Sequence, residues 1–415
     1  MFDAFSTALS ALTANSTAVD IIGNNLANVN TTGYKADSVQ FSDLMSQQLG
    51  GTSATNQVGL GVSGAQSIRE FTQGAIQQTN GPLDTAISGT GFFVVNDSSG
   101  QQLYTRAGNF RLGTDGSLLT ANGDKVQGWN SVGGALNLSG PLSSIVIPVN
   151  GVVPPTVTAN VSLTANLDAT AAVGSPTASF SAPVQVVDSQ GGTHVLTFSF
   201  TKSDVNAWSY TVSIPTSDLK TGGTTSIAVG VLAFDGTGQL TTPASTAAPV
   251  SLKITGLADG ASDLTVNWNL YTGTSGLLTQ FAQTSGVSAT SQDGHPAGQI
   301  VGITMGDNGA ITASYSNGQQ TTVAQVALAN IRNPESMTAV GNNNLRATAD
   351  TAAPAIGIAD TGGRGKILGG SLEGSTVDMA SEFTNLIAVQ RSYQASSKVI
   401  TTTDQMLQDL IALKQ

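Results

Sequence analysis

Two histidines, no cysteine and a scatter of aspartates beside glycines are the residues of this 415-residue sequence equipped for chemistry. His194 stands at the start of an alternating apolar run, and His295 precedes Pro296 in a polar stretch. A zinc site needs several ligands in fixed geometry, and H-E-x-x-H is absent, so both histidines are expected to be solvated and no metal site is expected. Asp115, Asp235, Asp293 and Asp307 each adjoin Gly or Asn-Gly. Calcium loops use such residues, but the EF-hand spacing with its closing glutamate is missing, which leaves hairpin turns. Gly59-Leu60-Gly61-Val62-Ser63-Gly64 matches G-x-G-x-x-G. A dinucleotide site also requires a preceding buried strand, a following helix and an acidic residue about 20 positions on. None of these is in place, so the stretch reads as a flexible loop and no cofactor is expected. There is no G-x-S-x-G and no Cys–His pair, and nothing selects two carboxylates for glycoside hydrolysis, so an enzyme is not expected.

Composition points the same way. Charged residues make up 10% and aromatics 5%, with 48 glycines and a formal charge of −11. That balance offers no basic patch to neutralise phosphates, which excludes a nucleic-acid binder. Absence of cysteine removes disulfides, thiol nucleophiles and thiolate metal sites together. The opening MFDAFSTALSALTAN has no basic n-region or unbroken apolar core, so no cleavable signal is read, and no run of about 18 apolar residues offers a membrane span.

With chemistry set aside, the strongest pattern lies at the two ends. Met379, Leu386, Tyr393, Ile400 and Leu407 recur every seventh residue, and Phe383, Leu410 and Ile411 widen the stripe. This is a helical period sustained from Ser375 to Gln415, about 60 Å at 1.5 Å per residue. Ser375 with Asp378 three residues on is read as a capping box at its start. Phe5, Leu12, Val19 and Leu26 form a matching stripe in the first thirty residues, with Ala8, Ile22 and Val29 beside it. A pair of such helices covers only part of each stripe, so the remainder is expected to be buried against other copies of the chain. The Asn-rich segment with Asn24, Asn25, Asn28, Gly33 and Tyr34 closes the first helix, because Asn and Gly tolerate left-handed backbone.

Between the ends the period changes to that of strands, with Asp115-Gly116 and Asn122-Gly123 as hairpin signals. Leu196, Phe198 and Phe200 alternate with polar neighbours, as do Trp208, Tyr210, Val212 and Ile214, and Val266, Trp268 and Leu270. Half-buried sheets, as a sandwich or barrel, follow from that alternation. The expected fold is α+β: paired, coiled-coil-like terminal helices with nested, discontinuous, mainly antiparallel β domains. The expected boundaries are a helical domain of 1–30 plus 375–415, connectors at 31–70 and 349–374, an inner β domain of 71–146 plus 288–348, and an inserted outer β domain of 147–287. The Gly-rich parts of the connectors, 50–64 and 349–374, are expected to act as hinges.

ALSALTANSTAVDIIGNNLANVNTTGYK (Ala8–Lys35) resembles the signature of the flagellar rod and hook axial family, and Ser371–Leu413 resembles that family's closing helix. GPLDTAISGTGFFVV and YTRAGNFRLGTDGSLLTANGDKVQGW are similar to its first β domain, whereas roughly 150–285 carries no motif of the family. The length and the extra inserted domain resemble the hook-type members more than the shorter distal-rod members. The resemblance implies a homopolymer, assembled under a cap into a curved, flexible tube that passes torque from rod to filament. It also implies export through the flagellar type III apparatus without a cleavable signal, an extracellular place in the flagellum, and contacts with cap, distal rod and hook–filament junction proteins. The alternatives are a distal rod member of the family, or a secreted β-rich binding module or adhesin.

Overall fold

The computed structural model describes residues 2–44, 47–48, 57–132, 135–149 and 151–412. The described chain is α+β, with helix α1 spanning Phe2–Ala27, helix α2 spanning Met379–Ala412, and short strands between them. The chain divides into two compact units, one of residues 1–149, 302–313 and 321–415, the other of 150–301 and 314–320.

The first unit carries both helices. Its β part grows from an antiparallel hairpin of Phe92–Asn96 and Gln102–Thr105, in the register Phe93 opposite Thr105. Lys125–Val132 pairs with the first of these strands and, through Trp129 opposite Gln325, with the end of Gln320–Val326. Phe92, Val94, Tyr104, Trp129, Ala329 and Ile331 close a dry core. Gly116 (φ 81°) and Gly123 (φ 95°) supply the left-handed positions of the two turns, as their Asp-Gly and Asn-Gly pairs require.

The segments read as connectors are instead paired. Asp37–Gln40 pairs with Gln66–Arg69, Lys366–Gly369 with Thr85–Ser88, and Ser371–Glu373 with Ile76–Gln78. The glycines of 349–374 serve turns between short strands (Gly362, Gly363 and Gly370 all have positive φ), so this tract is not a free hinge. Residues 50–56 of the other proposed hinge lie outside the described residues.

The second unit is a sandwich. Ser179–Val187, Thr193–Asp204, Ala207–Ser213, Ser226–Phe234 and Leu240–Thr242 form one antiparallel sheet in chain order. The second sheet runs Val250–Ile254, Leu264–Asn269, Asn160–Asn166 and Leu278–Thr279, with Gly286–Gln292 also on Asn160–Asn166. Two of its pairings are parallel. Trp268 sits at the centre, edge-on to Phe198 at 4.9 Å and to Tyr210 at 5.1 Å. Every residue of the three alternating runs named above is buried.

The inserted unit therefore runs on to residue 301, beyond the boundary of 287 read from composition. That boundary falls inside the strand Gly286–Gln292, most of whose residues are small or polar and exposed. A strand exposed on its outward face shows no apolar alternation, so periodicity passes over it.

Candidate assembly site

α1 and α2 pack antiparallel, since Asn25 at the end of α1 bonds to Glu382 in the first turn of α2. α1 turns Ala8, Ala14, Ala18, Ile22 and Asn25 inward, and all five are buried. Alanine lets the two backbones approach closely, which fixes the seam where side chains are smallest. On α2, Leu386 and Val389, three residues apart, are half-buried, as are Ile400 and Leu407, with Thr403 buried between them at helical spacings of three and four.

The sequence-predicted stripes divide between this seam and the outside. Ile22 is buried; Leu12, Val19, Leu26, Leu386, Ile400 and Leu407 are half-buried; Phe5, Met379, Phe383 and Tyr393 are exposed. The inner face of α1 thus runs through Ala14 and Ala18, not through the heptad Leu12, Val19 and Leu26. A straight helix has 3.6 residues per turn, so a seven-residue repeat drifts off the contact line. Met379 is 52% exposed, Phe383 49%, and Ile387, one turn on, 54%. Leu9, Val399, Met406 and Ile411 add to the apolar surface.

The capping box is corrected. α2 starts at Met379, and Asp378 is the cap: its Oδ1 accepts from the amides of Ala380 (2.8 Å) and Ser381 (3.2 Å). Ser375 Oγ accepts from Val377 N–H at 3.3 Å, upstream of the helix. The aspartate accepts from the open amide donors, and its charge also meets the positive helix end.

The Asn-rich motif builds the corner where α1 meets the β part. Asn25 Nδ2 donates to Asp37 O (2.8 Å) and Glu382 Oε1 (3.0 Å), while its Oδ1 accepts from Asp37 N–H (3.0 Å). One side chain thus ties α1, the Asp37–Gln40 strand and α2. Tyr34 OH lies 3.4 Å from Asn25 Oδ1 and from Asn24 Nδ2. Burial, then the charge of Asp37, pushes the Tyr34 phenol above its ordinary value. Asn28 Nδ2 donates back to Asn24 O (2.9 Å), closing the last turn. Burial also raises the Glu382 carboxyl, against the lowering effect of its Asn25 hydrogen bond.

Beneath that corner lies an ion cluster that reading the sequence missed. Glu373, wholly buried, takes Lys35 Nζ at 2.6 Å on Oε1 and Arg106 Nη1 at 3.2 Å on Oε2. Gly74 N–H adds a bond to Oε1 at 2.8 Å, and Gly33 N–H reaches the Glu373 carbonyl at 2.8 Å. Burial pulls the Lys35 ammonium down, and its bond to Glu373 opposes that shift. Arg106 also donates to Gly89 O (2.7 Å) and lies over the Phe92 ring at 5.4 Å. Gly33 has φ 67°, and a Cβ there would stand 2.6 Å from the Arg106 carbonyl carbon, so position 33 requires glycine twice over. The available signal was three charges inside otherwise uncharged motifs, TTGYK, YTRAG and SLEGS.

The residues first considered for chemistry lie elsewhere. The G-x-G-x-x-G loop packs on α1, where Val62 N–H donates to Ser10 Oγ at 3.3 Å. Asp115 and Asp235 fold their turns: Asp115 accepts from Ser117 Oγ (2.7 Å) and Asp235 from Thr237 Oγ1 (2.6 Å). Asp293 accepts the amides of Ala159 (2.8 Å) and Asn160 (2.9 Å), and Asp307 Oδ1 lies 3.4 Å from Gly369 N–H. His295 is half-buried and its backbone pairs with Thr156. His194 is not solvated, contrary to expectation. Its Nε2 lies 2.9 Å from Asp188 Oδ2 and its Nδ1 3.1 Å from Asp218 Oδ2, with only 8% of the side chain exposed. Burial works against its protonation, but the bonds and charges of Asp188 and Asp218 prevail and raise it above the usual histidine value. An alternating apolar strand begins beside His194, which hid a polar cluster completed by Asp188 before it and Asp218 after it. No described helix is long and apolar enough to cross a membrane.

Four family models match the chain. They are Flagella basal body rod protein over residues 5–35, Flagellar hook protein FlgE/F/G D1 domain over 86–164, Flagellar basal body protein FlaE D2 domain over 156–295, and Flagellar basal body rod FlgEFG protein C-terminal over 368–413. The flagellar hook protein FlgE of Borreliella burgdorferi is 34% identical, over 98% of this chain and 98% of its own. That of Escherichia coli is 33% identical over 99% and 100%, and that of Salmonella typhimurium 32% over the same shares. In fold, the crystal structure of Helicobacter pylori flagellar hook protein FlgE2 matches 70% of this chain and 99% of its own, with a TM-score of 0.51 at 16% identity. With paired terminal helices, a shared order of matched segments and relatives alike from end to end, this chain belongs to the flagellar hook protein FlgE family.

Proposed function

We propose that this chain is the structural subunit of a bacterial flagellar hook, a homopolymer forming a curved, flexible tube that passes torque from rod to filament. The observation that carries the reading is the apolar surface left outside the helix pair: Phe5, Leu9, Met379, Phe383 and Ile387 stay exposed after α1 and α2 have packed. Such a surface on a helix is stable in water only once a neighbour covers it. The self-assembly residues are Phe5, Leu12, Val19, Ile22 and Leu26 of α1 with Met379, Phe383, Leu386, Tyr393, Ile400 and Leu407 of α2. Ile22 and Leu386 hold the pair together, while Phe5, Met379, Phe383 and Tyr393 meet other copies.

Bending a tube requires rows of subunits to lengthen and shorten in turn. Since 349–374 is pinned in strand pairs, the compliance resides in polar, charge-poor contacts between copies that slide rather than in a hinge there. Export through the type III apparatus, a place outside the cell, and end contacts with cap, rod and junction proteins complete the reading. Trp208 and Trp268 are buried at 0% exposure, so neither is open to stack on a glycan as an adhesin would require. Negative-stain microscopy of the purified chain driven to polymerise tests the proposal. Curved tubes of uniform width are expected; soluble monomers or amorphous aggregate under all conditions would overturn it.

A further inference from the structure

In the second unit, Asp188 and His194 on either side of one turn, Asp218 at the end of the short 3-10 helix Thr216–Asp218 and Asp259 in a further turn come together. Asp188 Oδ2 lies 2.9 Å and Asp259 Oδ2 3.5 Å from the same imidazole nitrogen, Nε2. All three donor atoms fall within 4.8 Å of one another. Nε2 has one lone pair or one proton, so two anionic oxygens converge on a group that can satisfy only one of them. Among the described residues, no lysine or arginine forms an ion pair with any of these carboxylates.

The surroundings orient these atoms. Asp188 spends Oδ1 on the amides of Gln190 (2.7 Å) and Gly192 (2.9 Å), and Asp259 spends Oδ1 on Ala261 N–H (2.9 Å). Each carboxylate is thereby left with Oδ2 facing the histidine. Asp218 Oδ2 lies 3.1 Å from Nδ1 on the opposite edge of the ring, and a proton shared between them would leave Nε2, which faces Asp188 and Asp259, available as a ligand once an ion displaces its proton. That is how carboxylates outside the coordination sphere orient metal-bound histidines. Gly192 leaves space beside the convergent atoms: a Cβ there would stand 3.2 Å from Asp259 Oδ2 and closer still to Asp188 Oδ2. Donor atoms around an ion with bonds of about 2.0–2.2 Å sit roughly 3–3.5 Å apart, and both measured separations from Nε2 lie near that range.

We propose that Asp188, His194 and Asp259 bind a divalent ion of borderline character, with Asp218 as the positioning residue and water completing the shell. Two carboxylates and an imidazole suit Zn²⁺ better than a soft ion such as Cu⁺, and the partial exposure of Asp259 gives the ion its way in. The ion ties the 188–194 turn to the 256–263 turn, which Ser262 N–H and Ser189 Oγ already join at 3.0 Å. This inference is independent of the assembly reading.

The test is calorimetric titration of ZnCl₂ into the full-length chain after chelator treatment, at neutral pH, with the unfolding midpoint measured in parallel. One equivalent bound is expected, with a rise in midpoint that EDTA reverses. Asp259→Asn and Gly192→Ala are expected to weaken binding at least tenfold. The first changes a ligand at the solvent edge, and the second places a methyl group against the Asp188 and Asp259 carboxylates while keeping every ligand residue. Asp218→Ala is expected to weaken it about 10–100-fold. His295→Gln is expected to bind as the parent does, which separates this site from casual histidine binding. No uptake of Zn²⁺, uptake of Ca²⁺ in its place, or full uptake by both Asp259→Asn and Gly192→Ala would overturn the proposal.

Discussion

Glu373 joins two cations, two backbone amides and three separate stretches of chain at a point with no access to water. Removing one member of such a group leaves the others charged and unpaired, which is far costlier than losing a surface pair. Glu373→Ala is expected to destabilise the first unit by about 3–5 kcal/mol, read as a drop in urea midpoint at unchanged slope. The turn aspartates act in the opposite setting. Asp115 and Asp235 are held below the ordinary carboxylate range by hydrogen bonds from Ser117 and Thr237 respectively. A carboxyl depressed in the folded state contributes stability above its unfolded pKa, about 3.9, and loses that contribution as pH falls through the folded value. The thermal midpoint is therefore expected to fall as pH drops below about 4, and to fall less in Asp235→Asn, whose amide does not titrate. An equal acid dependence in parent and variant would contradict this assignment.

At the scale of elements, the helices and the sandwich strands were legible because their periods are strong. Three alternating runs located the core of the second unit, and Trp268→Ala is expected to cost about 3–5 kcal/mol there, measured by chemical unfolding. Most of what the sequence left hidden has a common cause. Gly286–Gln292 is a strand without apolar alternation, the 349–374 strands are short and Gly-rich, and Asp378 caps α2 where Ser375 was read as the cap. The cap is local and was misplaced by three residues, whereas for the two sets of strands the deciding interaction is with a backbone partner far along the chain, which no local pattern records. The same holds for Asn25. Its residue type marks a helix stop, but its role in joining α1 to Glu382 and Asp37 depends on contacts 357 and 12 residues away. The helix seam was half legible: a heptad was visible, while the inner face turned out to follow the alanines Ala14 and Ala18.

At the scale of the whole molecule, both ends of the chain present apolar helix surface that this single copy leaves uncovered. Phe383→Asp should block polymer formation while leaving the urea unfolding of the second unit unchanged, because the residue is 49% exposed and belongs to the first unit. The most direct measurement uses the absence of native cysteine. A single Phe383→Cys chain provides one thiol, and its rate of reaction with a maleimide can be read in the monomer and again after assembly. The account predicts rapid labelling of the monomer and at least tenfold protection in the polymer; equal rates in the two states would contradict it.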